Sequence, residues 1–238
     1  MDGDPKPPDV SAPRAFFGRR KGHTLRPHHA DLIATLLPRL AVDLSAPPPM
    51  PLGALFDPPR PRMRLEIGFG GGEHLAAEAV ADPAAGFVGC EPFVNGMAQG
   101  LALIERDNLA NVRLHHGDAA DLIAWLPDAS LARIDLLYPD PWPKRRHWKR
   151  RFVQDDSVTW LARVLADGAE FRFASDWADY AAWTLERLLR CPDFSWTAER
   201  ADDWRKPWAG WTRTRYEAKA IREGRTPCYL VFRRVSRN

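Results

Sequence analysis

Single carboxylates stand at the ends of apolar runs along the middle of this chain. They are Glu66 in "MRLEIGF", Glu91 in "GFVGCE", Asp118 in "VRLHHGD", Asp140 in "RIDLLYPD" and Asp176 in "AEFRFASD". Glu66 leads into glycines at 68, 70, 71 and 72. Glycines in such a turn let backbone approach a ligand closely, and their register says which ligand. The dinucleotide pattern G-x-G-x-x-G fails in both frames, because its third glycine falls on Glu73 or on Leu75. The pattern E-x-G-x-G-x-G fits without a gap at Glu66, Gly68, Gly70 and Gly72. A carboxylate there would repel a pyrophosphate and attract an ammonium group. S-adenosylmethionine carries that ammonium together with a sulfonium, a ribose and an adenine. Glu91 is then spaced to take ribose hydroxyls, and Asp118 to accept from the adenine amino group. At each of these positions the alternative is a carboxylate that caps the following helix.

Asp140 differs in setting. It lies between two prolines in "YPDPW", and six Lys/Arg follow between Lys144 and Arg151. The prolines fix the backbone around the carboxylate and remove local donors. A plain turn would explain the Asp and the prolines, but neither Trp142 nor the cations behind it.

These groups need a scaffold that brings strand ends to one rim. Strand-like runs at 63–69, 86–91, 112–118, 133–140 and 169–176 alternate with helical patterns, which predicts an α/β, doubly wound, mostly parallel sheet. Runs at 194–200 and 228–234 add an antiparallel edge pair and make seven strands. Ligands in such sheets bind outside the carboxyl ends of the strands. Residues 63–238 form this domain, residues 14–62 a basic segment with a helix over "HHADLIATLLPRLAV" and a Pro-rich linker, and residues 1–13 a disordered tail.

The 238 residues are 45% hydrophobic, enough for a substantial core, and carry a net charge of only +3. Base is bunched at 14–26, 144–151 and 205–237, which favours a polyanionic partner over a uniformly solvated surface. Three cysteines without C-x-x-C spacing fit reduced thiols in the cytoplasm. No run is long and apolar enough to span a bilayer, and no metal site is expected, since His28/His29 and His115/His116 are adjacent pairs.

Together "LEIGFGGG", "PDPWPKRRHWKRR", "ASDW" and "TRYE" resemble the bacterial single-chain tRNA (guanine-N(7)-)-methyltransferase family. The resemblance runs from about Phe16 to Arg234 and implies a Rossmann-like class I S-adenosylmethionine-dependent methyltransferase acting on the variable loop of tRNA. It departs at Trp148, where a small polar residue is typical, at Pro92, and in the Pro-rich stretch 46–62. Carried over by position, it implies that Glu66, Glu91, Asp118 and Asp140 contact the cofactor and that Asp140 is the active-site residue. Lys144, Asp176, Thr214, Arg215, Tyr216 and Glu217 would touch the guanosine, and Arg146, His147, Trp148, Lys149, Arg150 and Arg151 the RNA. No obligatory protein partner is implied, and monomer and homodimer both stay open. Amino-group methylation of adenine remains an alternative, weakened because the prolines of "PDPW" are not adjacent. A non-catalytic RNA-binding protein on the same scaffold is another.

Overall fold

The computed structural model describes Gly18 and residues 20–237. The expected tail at 1–13, with Phe16, Phe17 and Arg19 of the basic segment, lies outside them. The expected first helix is two pieces, α1 (Pro27–Thr35) and α2 (Leu37–Leu40). Pro38 has no N–H to offer the carbonyl of Ala34, so the helix restarts there.

The chain then alternates β1 (Arg62–Ile67), α3 (Glu73–Ala81), β2 (Ala85–Cys90), α4 (Val94–Arg106), β3 (Val112–His115), α5 (Ala119–Trp125) and β4 (Leu131–Leu137). It continues through α6 (Asp155–Val164), β5 (Leu165–Ser175), α7 (Ala178–Arg190), β6 (Phe194–Trp196), α8 (Asp202–Arg205), α9 (Arg215–Arg222) and β7 (Cys228–Arg234). The strands form one seven-stranded sheet in the order β3-β2-β1-β4-β5-β7-β6. β1 to β5 pair in parallel, while β7 is antiparallel to both β5 and β6. This is the expected doubly wound sheet with its antiparallel edge pair. The strand order reverses between β1 and β4, so the crevice opens at their carboxyl ends.

Each face of the sheet has its own cover. Leu65, Val88, Ile134, Phe171, Phe173 and Phe232 pack against Leu122 and Ile123 of α5, Trp160 and Leu161 of α6, and Tyr180 and Leu188 of α7. On the other face, Phe87, Val112 and Leu114 meet Leu32 of α1, Leu75 of α3, and Met97 and Leu101 of α4. Near the middle of that second face the strands carry charge instead. Arg64 pairs with Glu78 and Asp82, and Arg133 with Asp135 and Glu78. The N-terminal segment is bound into the domain, with Ala41 bridging to Leu114 and Trp125 Nε1 donating to Ala46 O.

Several strands end short of expectation, among them β1 at Ile67 and β3 at His115. β4 stops at Leu137 because Tyr138 turns into a left-handed conformation (φ 50°), and β6 is only three residues long. Phe171 is fully buried on central β5 against Phe194. Phe171→Ala is expected to cost about 3–5 kcal/mol in urea unfolding, through lost transfer energy and an unfilled cavity.

Candidate active site

A cavity of about 1030 Å³ lies at the carboxyl ends of β1, β2 and β4, lined among others by Gly68, Gly70, Glu91, Asp118, Asp140 and Trp142. Its floor is the glycine turn. Gly68, Gly70 and Gly72 have φ of 69°, 59° and 81°, which L side chains rarely adopt. A Cβ on Gly68 would meet nothing within 4 Å, so bare backbone faces open space there. Gly96, in the first turn of α4, comes so close that a Cβ would stand 2.4 Å from the Gly70 carbonyl oxygen. The turn is therefore held from below and open above, a cradle suited to a ligand that touches main chain.

Glu91 ties this floor together. Its Oε2 accepts from Gly70 N at 2.7 Å and its Oε1 from Phe93 N at 2.8 Å. Burial raises its pKa, and those two N–H donors pull it partly back. Each oxygen keeps a lone pair that can take a hydroxyl donor. Asp118 lines the cavity while acting as the cap of α5, accepting from Ala120 N at 2.9 Å. The expected helix cap is thus present, on a side chain that also borders the cavity.

Glu66 sits elsewhere. It is 5% exposed, points to the charged face of the sheet, and its Oε2 lies 2.8 Å from His74 Nδ1. It buttresses the turn from beneath and does not line the cavity. Burial disfavours the imidazolium of His74, but Glu66, Asp135 and Glu78 outweigh it and raise the pKa to about 9. Burial likewise raises Glu66, with His74 opposing. The ring of His74 also meets Trp211, centroids 5.4 Å apart.

Asp140 is exposed at the rim, in a loop bracketed by two left-handed residues, Tyr138 (φ 50°) and Trp142 (φ 42°). The basic block forms a 3₁₀ turn over Arg145–Arg150. Lys144, Arg146 and Lys149 are exposed on it, while Arg150 lies 4.9 Å above the Trp142 ring and His147 meets that ring edge-on. Arg151, expected at the RNA, is turned inward. Its side chain is fully buried, because Trp148, Tyr180 and Trp183 enclose the guanidinium. Trp148 packs edge-on against Trp183, which accounts for an indole at that position.

The far wall comes from the "TRYE" block. Thr214 caps α9 by accepting from Glu217 N at 3.1 Å. Arg215 donates to Gln99 and stands over Tyr216, whose ring reaches the glycine turn at Gly70 and is 45% exposed on the cavity. Glu217, expected at the guanosine, is 2% exposed and already accepts from Trp211 Nε1 at 2.8 Å and from the Tyr229 hydroxyl. Its carboxylate organises the wall from inside. Asp176 accepts from Arg225 at the end of β5. The geometry thus gathers Gly68, Gly70, Glu91, Asp118, Asp140 and Tyr216 on one cavity, which Arg151 borders with its side chain buried, and sets Glu66 and Glu217 behind it.

Sequence reasoning passed over Asn95. Its side chain accepts from Gly22 N at 2.8 Å and donates to His23 O at 2.7 Å, strapping the basic 20–23 segment to the start of α4. His74 was also missed, although its place in the first turn of the helix after Glu66 was a usable signal. Among the described residues no group of three His, Cys, Asp or Glu could hold a metal, and no helix is long and apolar enough to cross a membrane.

A family model described as "Putative methyltransferase" matches residues 61–230. A tRNA (guanine-N(7)-)-methyltransferase of Rhodopseudomonas palustris (strain BisA53) is 66% identical over 220 residues, covering 92% of this chain and 88% of that one. A protein of the same name from Bradyrhizobium diazoefficiens is 64% identical over 221 residues, covering 93% of this chain and 94% of its own. Among solved structures, the 16S rRNA methyltransferase KamB superimposes with a TM-score of 0.53 over 74% of this chain and 89% of that one, at 13% identity. That last likeness is one of fold alone.

The buried Glu66–His74 pair has a pH signature. A histidine raised from 6.5 to about 9 on folding gives stability that is complete below pH 6.5 and lost as pH rises through 9. Urea unfolding midpoints should therefore fall across that window, by on the order of 2–3 kcal/mol in stability. In His74→Gln the slope in that window should flatten.

Proposed function

The chain belongs to the tRNA (guanine-N(7)-)-methyltransferase family, and from that premise we propose that it methylates nitrogen-7 of a guanine in the variable loop of tRNA, with S-adenosylmethionine as donor. The carrying observation is that Asp140, at the end of β4, shares one cavity with the open backbone of Gly68 and with Glu91 and Asp118, beside the exposed Lys144, Arg146 and Lys149. The donor would supply a methyl group already activated on a sulfonium. Its fit is supported by the bare Gly68 backbone, by the lone pairs left on Glu91, and by a volume of about 1030 Å³. Glu91 would hold the ribose and Asp118 the adenine end. Glu66 would act through the turn it supports.

Nitrogen-7 of guanine has a lone pair and no proton, so attack on a methyl carbon requires no general base. The bond to carbon forms as the bond to sulfur breaks, and the positive charge passes to the purine. What the protein must supply is alignment and negative charge near that purine. Asp140 is placed to orient the base by accepting from its N–H edge and to stabilise the cationic product. Tyr216 lines the cavity the base would enter, and Lys144 is exposed just beyond the Asp140 loop. Cations on the 3₁₀ turn would take phosphates while the carboxylate meets the base. Such an enzyme would work in the cytoplasm, where tRNA is.

Purified protein, labelled S-adenosylmethionine and unmodified tRNA transcripts should give label in 7-methylguanosine on nucleoside analysis. Label in a methylated adenosine, or bound cofactor with no transfer to any tRNA, would refute the reading. Asp140→Asn should lower kcat on the order of a hundredfold with KM for tRNA little changed. Turnover near that of the wild type would remove Asp140 from its role. Glu91→Ala should weaken S-adenosylmethionine binding about tenfold or more, measured by calorimetry, since it loses both the hydroxyl acceptor and the tie to Gly70.

A further inference from the structure

The Asp140 loop has few backbone donors with which to hold its own shape; Tyr138 N is tied to Ala174 O at 2.7 Å where the loop leaves the sheet. Pro139, Pro141 and Pro143 have no N–H, so the segment is short of the donors that would close a turn on itself. Tyr138 and Trp142 sit at φ 50° and 42°, a region that costs about 1–3 kcal/mol per residue and persists only when the surroundings impose it. Some group outside the loop must do so.

We propose that Arg151 is the positioning residue of the Asp140 loop, anchoring it from inside the protein rather than binding RNA. Its Nε donates to the carbonyl oxygen of Pro141 at 2.9 Å, on the residue that follows Asp140. Its Nη2 donates to Asp179 of α7, so one planar guanidinium joins the loop to a packed helix. Three rings enclose it, with centroids at 5.0 Å for Trp148, 4.9 Å for Tyr180 and 5.0 Å for Trp183. Those rings are themselves pinned: Val153 N donates to the Tyr180 hydroxyl at 3.2 Å, and Trp183 Nε1 donates to Val153 O at 2.7 Å. The neighbouring Arg150 turns the other way, above Trp142. The basic block thus has two faces: cations outward for phosphate, and one arginine inward that fixes the carboxylate loop. Lysine could not replace it, because an ammonium cannot serve both acceptors while stacking between rings.

The proposal rests on the methyltransferase reading, and the experiment separates the two. If wild-type protein forms no 7-methylguanosine, that reading fails and the anchor has no reaction to serve. With active wild type, Arg151→Lys and Arg151→Met are compared for kcat, KM for tRNA, the Kd of S-adenosylmethionine, and the salt dependence of tRNA binding. Displacing the carboxylate should lower kcat about ten- to a hundredfold in both variants, with KM and the cofactor Kd within about twofold. The salt slope should stay unchanged, whereas loss of a phosphate contact would reduce it by about 1. Unchanged kcat, rescue by lysine, or a raised KM with a smaller salt slope would each overturn the proposal. If neither Arg151 variant folds, Asp179→Ala decides, since that side chain is 50% exposed and leaves the aromatic box filled. A kcat loss of about two- to fivefold at constant KM supports the anchor, and wild-type kcat overturns it.

Discussion

The Glu91 carboxylate is the tie on which the crevice depends. Three glycines with positive φ in one short turn have no regular hydrogen-bond ladder to hold them. Glu91, at the end of the neighbouring strand, accepts from Gly70 N on one side and from Phe93 N, at the start of α4, on the other. One buried group thereby fixes the distance between the turn and the helix. That closeness then dictates Gly96, where any side chain would collide with the Gly70 carbonyl. It also brings Gln99 of α4 within reach of Arg215, which places α9 and Tyr216 over the turn. The far wall of the cavity is in this sense built outward from one carboxylate.

Beneath the turn the same problem has a different solution. Glu66 faces a surface of the sheet where Arg64, Arg133 and Asp135 already carry charge, and His74 and Glu78 of α3 face them. A buried charge persists only when it is paired and hydrogen-bonded. Each member of this set of acids, arginines and one histidine has an opposite charge beside it, and Trp211 closes its edge against His74. Trp211 in turn donates to Glu217, so the support beneath the turn continues into the wall made by "TRYE".

The frame was legible because its signals are local and repeated. Apolar runs of strand length followed by helical periodicity named the five parallel strands, and the acid-plus-glycine register separated a ligand with an ammonium group from a dinucleotide. What spacing does not carry is the direction in which a side chain points. Arg150 and Arg151 are identical neighbours in a basic run, yet one covers Trp142 and the other is buried among Trp148, Tyr180 and Trp183. Nothing in their spacing distinguishes them, because a 3₁₀ turn sends adjacent side chains to different sides. Glu217 and Glu66 are similar: their carboxylates suit a ligand, but tertiary packing turned them toward Tyr229 and His74. Strand ends were overestimated for a related reason. The apolar pattern continues through Tyr138, whereas the backbone leaves the strand there to form the loop.

For a nucleophile with no proton to lose, the usual reason for tuning a catalytic carboxylate is missing. A general base must be poised near the working pH, and that is arranged by burial or by neighbouring charge. Here the buried acids Glu66, Glu91, Asp135 and Glu217 are all engaged by protein donors, and Asp140 is exposed at the rim. Burial has been applied to the groups that shape the backbone, and exposure to the carboxylate at the cavity rim. Reaction at nitrogen-7 then turns on where the base is held relative to the methyl carbon. Errors of about 1 Å matter for such a step, and errors of that size are set by loop anchors. Three prolines, two left-handed residues and an enclosed arginine around Asp140 are the expected form of a site whose task is placement.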